Sequence, residues 1–158
     1  MANLIHINGH IMTKNENENV PILVFNPVRC DGQMPGIVGD FLRSLDSNAF
    51  GLYQAKCDLI ANHIGERGDN QCICLLADFG YMLNNAFVFY NNADPAVDTA
   101  ALIHTLENAR QFYPTYTFRI PYKFAVDLTD GEWQAITCII VNQLVNNGIN
   151  VEIWHDAN

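Results

Sequence analysis

The sequence has few basic residues and no long apolar segment. Eight lysines and arginines stand against seventeen acidic residues, so the formal net charge of the 158-residue chain is −9. Such an excess of negative charge opposes binding to phosphate backbones and to anionic lipid headgroups. The longest apolar runs, such as CIIV at 138–141, are far too short to cross a bilayer. These absences predict a protein that binds neither nucleic acid nor membrane.

Cysteine pairs of the metal-binding or disulfide kind are also missing. The five cysteines are odd in number and none has C-x-x-C spacing, which favours free thiols in a reducing compartment. His6 and His10 lie four residues apart on one face of a predicted strand, which by itself defines no metal site. The first residues, MANLIHINGHIM, lack a basic segment followed by an apolar stretch. We therefore expect a cytoplasmic location, no metal and no cofactor.

Segments of strand and helix character alternate along the chain, with one polar insert, TKNENENVP, between the first two strands. The alternation predicts one α/β domain over residues 1–158, with a three-layer α/β/α arrangement and a mixed, mostly parallel sheet. Asp94 before Pro95 is the predicted cap of the third helix. The predicted strands are 4–7, 22–25, 71–77, 86–90, 116–120 and 149–154, and the predicted helices follow Gly36, Ser47, Asp94 and Thr129, the last running from about Asp130 to Asn146.

Three segments carry loop motifs that follow strands: ILVFNPVRCDGQMPGIVGDF (22–41), LLADFGY (75–81) and IPYKFAVDLTDGEW (120–133). Together they resemble the macro domains, the α/β/α modules that bind ADP-ribose. The third segment resembles the family's Pro-Tyr-Lys-Ile-Gly-Cys-Gly-Leu-Ala-Gly-Gly-Asp-Trp and matches it residue for residue at Pro121, Tyr122, Lys123, Leu128, Gly131 and Trp133. The similarity is to the compact branch that includes ADP-ribose-1″-phosphate phosphatases and their phage-encoded relatives. The resemblance implies the macro-domain fold and a nucleotide-binding crevice.

By position, the resemblance also implies the residues that bind the ligand. His10 and Ile11 stand in place of the family's Asp-Ile, whose carboxylate accepts a hydrogen bond from the adenine amine, and a neutral imidazole can still accept one bond. Phe79 and Tyr81 would form an aromatic wall for a base or ribose, the alternative being a core Phe79 and an exposed Tyr81. The full implied set is His10, Ile11, Arg29, Asp31, Gly32, Met34, Gly36, Ile37, Phe79, Tyr81, Phe124, Asp127, Leu128 and Thr129.

The sequence departs from the family in both phosphate loops. In the first loop Arg29 replaces the active-site Asn, and it either contacts an anion or pairs with Asp31 or Asp127. In the second loop Gly-Cys-Gly becomes Ala-Val-Asp, at 125–127. A carboxylate about 5 Å from a phosphate charge, at an effective dielectric near 20, repels it by roughly 3 kcal/mol. A helix N-terminus contributes only about 0.3–1 kcal/mol of attraction. The second loop is therefore predicted to repel a diphosphate.

Several residues of these loops also allow other interpretations. Thr129 and Glu132 have the spacing of a capping box, which would occupy N–H groups that a ligand needs. Asp127, Asp130 and Glu132 would together suit a divalent cation, although caps and solvated turns use the same residues. Cys30 is either a low-pKa thiol beside a cation or a packing residue.

The sequence leaves three functions open. The first is a binding module that holds an ADP-ribose-like nucleotide or signalling derivative in a remodelled crevice, without efficient catalysis. The second is a hydrolase, either an ADP-ribose-1″-phosphate phosphatase or an ADP-ribosyl hydrolase, that positions a water. The third is a non-catalytic module whose acidic surface binds a partner protein. We favour the first, because the motifs of the fold are present whereas the enzymes' residues are not, and no catalytic residue is assigned.

Overall fold

A six-stranded sheet forms the centre of the molecule, in the order β1-β6-β5-β2-β4-β3. The computed structural model describes residues 2–45, 48–89 and 96–156. Every pairing in this sheet is parallel except that of β3 with β4. The predicted mixed, mostly parallel sheet is therefore confirmed. The strands are β1 Leu4–Asn8, β2 Ile22–Val28, β3 Asn70–Leu75, β4 Tyr81–Phe87, β5 Thr117–Pro121 and β6 Val151–His155.

Helices cover both faces of the sheet. Buried residues of two helices, α1 (Ile37–Ser44) and α2 (Ala49–Ala61), pack in one core cluster. Those of α4 (Thr99–Phe112) and α5 (Asp130–Gln143) pack in a second cluster. The three-layer prediction is thus confirmed. No helix in the described part of the chain has the length and apolar character needed to cross a membrane.

The central strand β2 shows why the sheet has two cores. All of its residues are buried. Leu23 and Phe25 belong to the cluster that contains α4 and α5, whereas Ile22 and Val24 belong to the cluster that contains α1 and α2. Successive side chains of a strand point to opposite faces, so a strand covered on both sides reads as a continuous apolar run.

The largest differences from the predicted strand boundaries lie at the third and fourth strands. The strand predicted over 71–77 ends at Leu75, and the next residues form the short helix α3 (Leu76–Phe79). The strand predicted over 86–90 instead begins at Tyr81, and position 90 lies outside the described residues. The early part of β4 was missed because Asn84 and Asn85 are polar, yet both are fully buried.

Helix boundaries also differ from the prediction. The predicted cap Asp94 lies outside the described residues, and helix α4 is capped by Asp98, whose Oδ1 accepts from Ala101 N at 3.1 Å. Helix α5 ends before the predicted Asn146, and a 3₁₀ turn, Val145–Asn147, follows it. Gly148, at φ 86°, ends this turn in the left-handed conformation that favours glycine.

Candidate functional site

A crevice of about 430 Å³ opens where β2, β5 and β6 end. Its walls come from the carboxyl ends of these parallel strands, from Ile11 in the loop after β1 and from the start of α1. In open α/β sheets this edge is where ligands bind. The crevice is therefore the candidate ligand site.

Only some of the residues that the resemblance implies line the crevice. Tyr81, Asp31 and Thr129 are among those that do not line it. The implied residues that line it are Ile11, Arg29, Met34, Gly36, Ile37 and Phe124, and those that do not are His10, Asp31, Gly32, Phe79, Tyr81, Asp127, Leu128 and Thr129. Polar and aromatic residues that sequence reasoning missed also line it: Asn26, Gln33, Phe89, Tyr122, Trp154, His155 and Asp156.

Hydrogen bonds from side chains of α2 and α1 hold the first loop, Arg29 to Gly36, in place. The Tyr53 hydroxyl lies 2.9 Å from the carbonyl oxygens of both Arg29 and Gln33, and its single proton is shared between them. Burial raises the pKa of Tyr53, so the hydroxyl keeps that proton. Arg43 on α1 donates to the Met34 carbonyl at 2.9 Å. These bonds fix the loop that carries Arg29 into the crevice wall.

Asp31 and Cys30 belong to the base of this loop. Asp31 Oδ1 accepts from Gln33 N at 3.0 Å, and Oδ2 is buried without a hydrogen-bond partner in the described structure. Burial, together with the nearby Cys57, raises the pKa of Cys30 to about 11. A thiol with this pKa stays protonated at neutral pH. The structure therefore argues against the low-pKa alternative for Cys30.

Helix α1 begins against the crevice without a side-chain cap. Its N-cap is Gly36, at φ 93°, and no side chain there accepts a hydrogen bond from the first turn. Gly36, Ile37 and Val38 all line the crevice. An uncapped helix N-terminus presents backbone N–H groups and a favourable field to an anion. The same turn carries one carboxylate, Asp40, whose Oδ1 lies 3.3 Å from Arg43 Nη1, so any attraction for an anion comes from the backbone N–H groups.

The second loop begins with a left-handed turn, Tyr122–Ala125. Lys123, Phe124 and Ala125 have φ values of 51°, 56° and 57°. An L-residue in this conformation costs roughly 1–2 kcal/mol. Phe124 is buried, with its ring centroid 5.8 Å from that of Trp133 on α5. Residue 125 thus has the left-handed conformation that suits glycine, and the resemblance gives a glycine at this position, but this chain has an alanine there.

Helix α5 caps its own N-terminus. Thr129 Oγ1 accepts from Glu132 N at 3.1 Å, and Glu132 Oε1 accepts from Thr129 N at 3.0 Å, which confirms the predicted capping box. Asp130 Oδ1 lies 2.7 Å from Lys123 Nζ. The hydrogen bond from Lys123 lowers the pKa of Asp130, and the same bond raises the pKa of Lys123. The sequence did not indicate this ion pair.

The cation interpretation of these acidic residues gains no support. Within 2–45, 48–89 and 96–156, no group of three or more His, Cys, Asp or Glu side chains is arranged to hold a metal ion. Asp130 is instead paired with Lys123, and Glu132 is used in the cap. Asp127 is exposed and does not line the crevice.

At the end of the crevice that contains Ile11, the carboxylate that accepts a hydrogen bond belongs to Asp156, which the sequence did not indicate. His10 is exposed, and its Nδ1 accepts from Met12 N at 3.2 Å. Ile11 is buried, and its N–H donates to Asp156 Oδ1 at 2.8 Å. A carboxylate therefore does lie at this end, but it follows β6 rather than β1. No local signal marked Asp156, since it is 145 residues from Ile11 in the chain.

A histidine pair borders the same end. His6 Nδ1 lies 2.8 Å from His155 Nε2, and the Tyr122 ring stacks on His155 at 4.2 Å between centroids. Burial lowers the pKa of His155, and the neighbouring His6 lowers it further. His155 is consequently held as the neutral imidazole above the crevice.

A buried arginine, Arg119, holds the loop after β1 at the Ile11 end of the crevice. Arg119 on β5 is 5% exposed, and its Nη1 donates to the carbonyls of Ile11 and Thr13 at 3.1 and 2.6 Å. Its guanidinium lies 4.6 Å from the Trp154 ring and its Nε 3.7 Å from Glu152. Arg119 therefore fixes the loop after β1, and with it the position of Ile11.

Phe79 and Tyr81 do not form the aromatic wall of the crevice. The Tyr81 side chain is fully buried, and its hydroxyl donates to the Met12 carbonyl at 2.9 Å. The Phe79 ring packs edge-on against Phe41 at 4.9 Å. The expectation of an exposed Tyr81 is wrong, because the side chain packs beneath the loop that follows β1.

Comparison with solved structures identifies this architecture. A macrodomain protein from Streptomyces coelicolor superposes with a TM-score of 0.77 at 17% identity, covering 98% of this chain and 100% of that one. The macrodomain of Thermus aquaticus DarG gives 0.70 at 18% identity, covering 98% and 99%. The chain has the macrodomain fold.

The macrodomain fold is also matched by Thermosipho africanus DarTG in complex with ADP-ribose, with a TM-score of 0.59 at 13% identity, over 84% of this chain and 37% of that one. No protein-family model matches the sequence, and no curated protein matches it. At such identities the superpositions establish the fold alone.

Proposed function

We propose that this chain binds an ADP-ribose-like nucleotide or a derivative of one in its crevice, without efficient catalysis. The observation that carries the proposal is the crevice of about 430 Å³ at the carboxyl ends of the strands. A volume of this size is within the range of about 300–1,000 Å³ usual for small-molecule sites. One solved protein of the same fold was determined in complex with ADP-ribose.

The base of the nucleotide fits the end of the crevice that contains Ile11 and Asp156. Ile11 supplies a buried apolar surface. Asp156 Oδ1 accepts the Ile11 N–H, while no described residue donates to Oδ2. The second oxygen is available to accept a hydrogen bond from an exocyclic amine. Asp156 would then perform the role that the resemblance gives to position 10.

The phosphates of the nucleotide fit the α1 side rather than the α5 side. The α1 terminus has no side-chain cap, lines the crevice and lies next to Arg29 in the crevice wall. The first turn of α5 carries two carboxylates, Asp130 and Glu132, and its capping box occupies N–H groups, whereas the first turn of α1 carries one carboxylate, Asp40, which pairs with Arg43. Hydrogen-bond availability and the smaller number of carboxylates therefore both favour a diphosphate near α1.

The same residues argue against efficient hydrolysis. Arg29 stands where the resemblance places the active-site Asn, and a guanidinium has donors only. Cys30, its neighbour, is protonated at neutral pH. A binding function needs neither a general base nor a nucleophile at this site.

Isothermal titration calorimetry with ADP-ribose, in the absence of metal, tests the proposal. We expect a one-to-one complex with a dissociation constant below about 100 µM. The Arg29→Gln variant should bind at least tenfold more weakly, while Lys14→Gln, which changes an exposed lysine outside the crevice, should not. Absence of binding at millimolar ADP-ribose, in a protein shown to be folded by circular dichroism, would refute the proposal.

A further inference from the structure

A buried asparagine on β2 reaches the crevice. Asn26 is 5% exposed and belongs to the crevice wall. Its Nδ2 donates to Asn85 Oδ1 at 2.9 Å and lies 3.5 Å from the Met34 sulfur. Both contacts engage the nitrogen of the amide, so they leave its oxygen for other partners.

The hydrogen bond from Asn26 continues across the sheet as a row of side-chain amides. Asn26 is in register with Asn85 on β4, and Asn85 is in register with Gln71 on β3. Asn85 Nδ2 donates to Gln71 Oε1 at 3.2 Å, and Gln71 Nε2 donates to the Leu52 carbonyl at 2.9 Å. The row Asn26, Asn85 and Gln71 is called the amide relay below.

The last bond of the amide relay fixes the direction of all the others. An amide side chain can usually be turned over, because its oxygen and nitrogen are similar in size. The main-chain carbonyl of Leu52 can only accept, so Gln71 must present its nitrogen there. Gln71 then has only its oxygen for Asn85, and Asn85 in turn has only its oxygen for Asn26.

The Asn26 oxygen is consequently the free end of the amide relay. No described residue donates to it, and it is not among the buried atoms without a partner, which are Asp31 Oδ2, Arg110 Nε and Arg119 Nε. It therefore remains accessible, and the accessible part of Asn26 lies in the crevice wall.

We infer that the amide relay makes Asn26 Oδ1 a fixed hydrogen-bond acceptor that selects a hydroxyl or amine donor on the ligand. For the ligand of the proposed function, on which this inference rests, that donor is a ribose hydroxyl. Asn26 contacts the ligand, whereas Asn85 and Gln71 are positioning residues. An acceptor that cannot turn over discriminates against a ligand group that can only accept, since two acceptors would then face each other.

A second row of amides in the same strands supplies a matched control. Asn84 Nδ2 donates to Asn70 Oδ1 at 3.0 Å, and Asn70 Nδ2 donates to the Thr105 carbonyl at 2.9 Å. Asn84 precedes Asn85 in β4, so its side chain points to the opposite face of the sheet. Neither Asn84 nor Asn70 lines the crevice.

Calorimetric titration of variants with ADP-ribose tests the inference. Asn26→Leu, which removes the acceptor, should weaken binding by about tenfold or more. Gln71→Met, which removes only the remote anchor, should weaken it several-fold, because Asn85 and Asn26 can then turn over. The control Asn70→Leu should lower stability without changing affinity. Unchanged affinity in folded Asn26→Leu and Gln71→Met would overturn the inference.

A measurement without ligand separates this inference from the proposed function. In ¹⁵N–¹H spectra, the side-chain NH₂ signals of Asn26 and Asn85 should both shift in Gln71→Met, while those of Asn84 should not. Unshifted Asn26 signals would overturn the amide relay even if ADP-ribose binds. If the parent protein does not bind ADP-ribose, the proposed function and its ribose contact both fail, and the spectra alone decide the orientation of Asn26.

Discussion

Replacing Ala125 by glycine tests the left-handed turn directly. Ala125 is exposed and has φ 57°, where an alanine costs roughly 1–2 kcal/mol. Glycine removes this cost but loses about 0.4–1 kcal/mol through its more flexible unfolded state. We therefore expect Ala125→Gly to stabilise the protein by about 0.5–1 kcal/mol, or by roughly 1–4 °C in Tm for a domain of this size.

The same substitution at Ala135 serves as the control. Ala135 is also exposed but lies inside helix α5, where glycine costs about 1 kcal/mol. Urea denaturation of the two variants should thus give changes of opposite sign. If Ala125→Gly destabilised the protein as much as Ala135→Gly does, residue 125 would not be left-handed, and the account of the second loop would be wrong.

Four further results are expected from the site. Thr129→Ala should lower the free energy of unfolding by about 0.5–2 kcal/mol through loss of the cap, while ADP-ribose affinity, measured by calorimetry, should stay unchanged if the phosphates bind at α1 as proposed. Asp156→Ala should weaken ADP-ribose binding at least tenfold, and Asp156→Asn should weaken it less. Affinities equal to that of the parent protein would contradict the amine contact. The fold lowers the pKa of His155 below its ordinary 6.5, so the contribution of the neutral imidazole to stability is present above that pH and is lost as pH falls. The decrease in urea resistance from pH 7.5 to pH 5 should therefore be smaller in His155→Gln than in the parent protein. Turnover of ADP-ribosylated substrates should be undetectable, and turnover that Arg29→Ala abolishes would restore the hydrolase hypothesis.

The layers of the fold could be predicted from the sequence because they depend on local patterns. Ile22 to Phe25, the part of β2 that was predicted as a strand, is buried on both faces of the sheet and reads as a continuous apolar run. The boundaries of β3 and β4 could not be predicted in the same way. Asn84 and Asn85 look unsuited to a buried strand, but side chains from β3 accept hydrogen bonds from both. That partnership appears only when the strands are placed side by side.

The site was less predictable than the fold. Ile11 and Gly36 were found because they belong to loop motifs that lie in the crevice wall. Asp156 and His155 were missed because they meet the loop after β1 only through the pairing of β6 with β1. Asp156, the carboxylate that accepts from Ile11 N, follows a different strand from the predicted acceptor His10, and no spacing rule connects the two.

The two phosphate loops illustrate how a turn can be retained while its use changes. In the second loop the burial of Phe124 and the pairing of Lys123 with Asp130 are contacts available to hold the turn in the left-handed conformation without glycine. The contacts that stabilise this loop also occupy it, because the capping box uses N–H groups and Asp130 adds a carboxylate at the helix terminus. In the first loop the terminus of α1 has no side-chain cap, and the carboxylate of its first turn, Asp40, lies 3.3 Å from Arg43. The proposal therefore puts the phosphates of the ligand at α1, beside Gly36 and Arg29, rather than at α5.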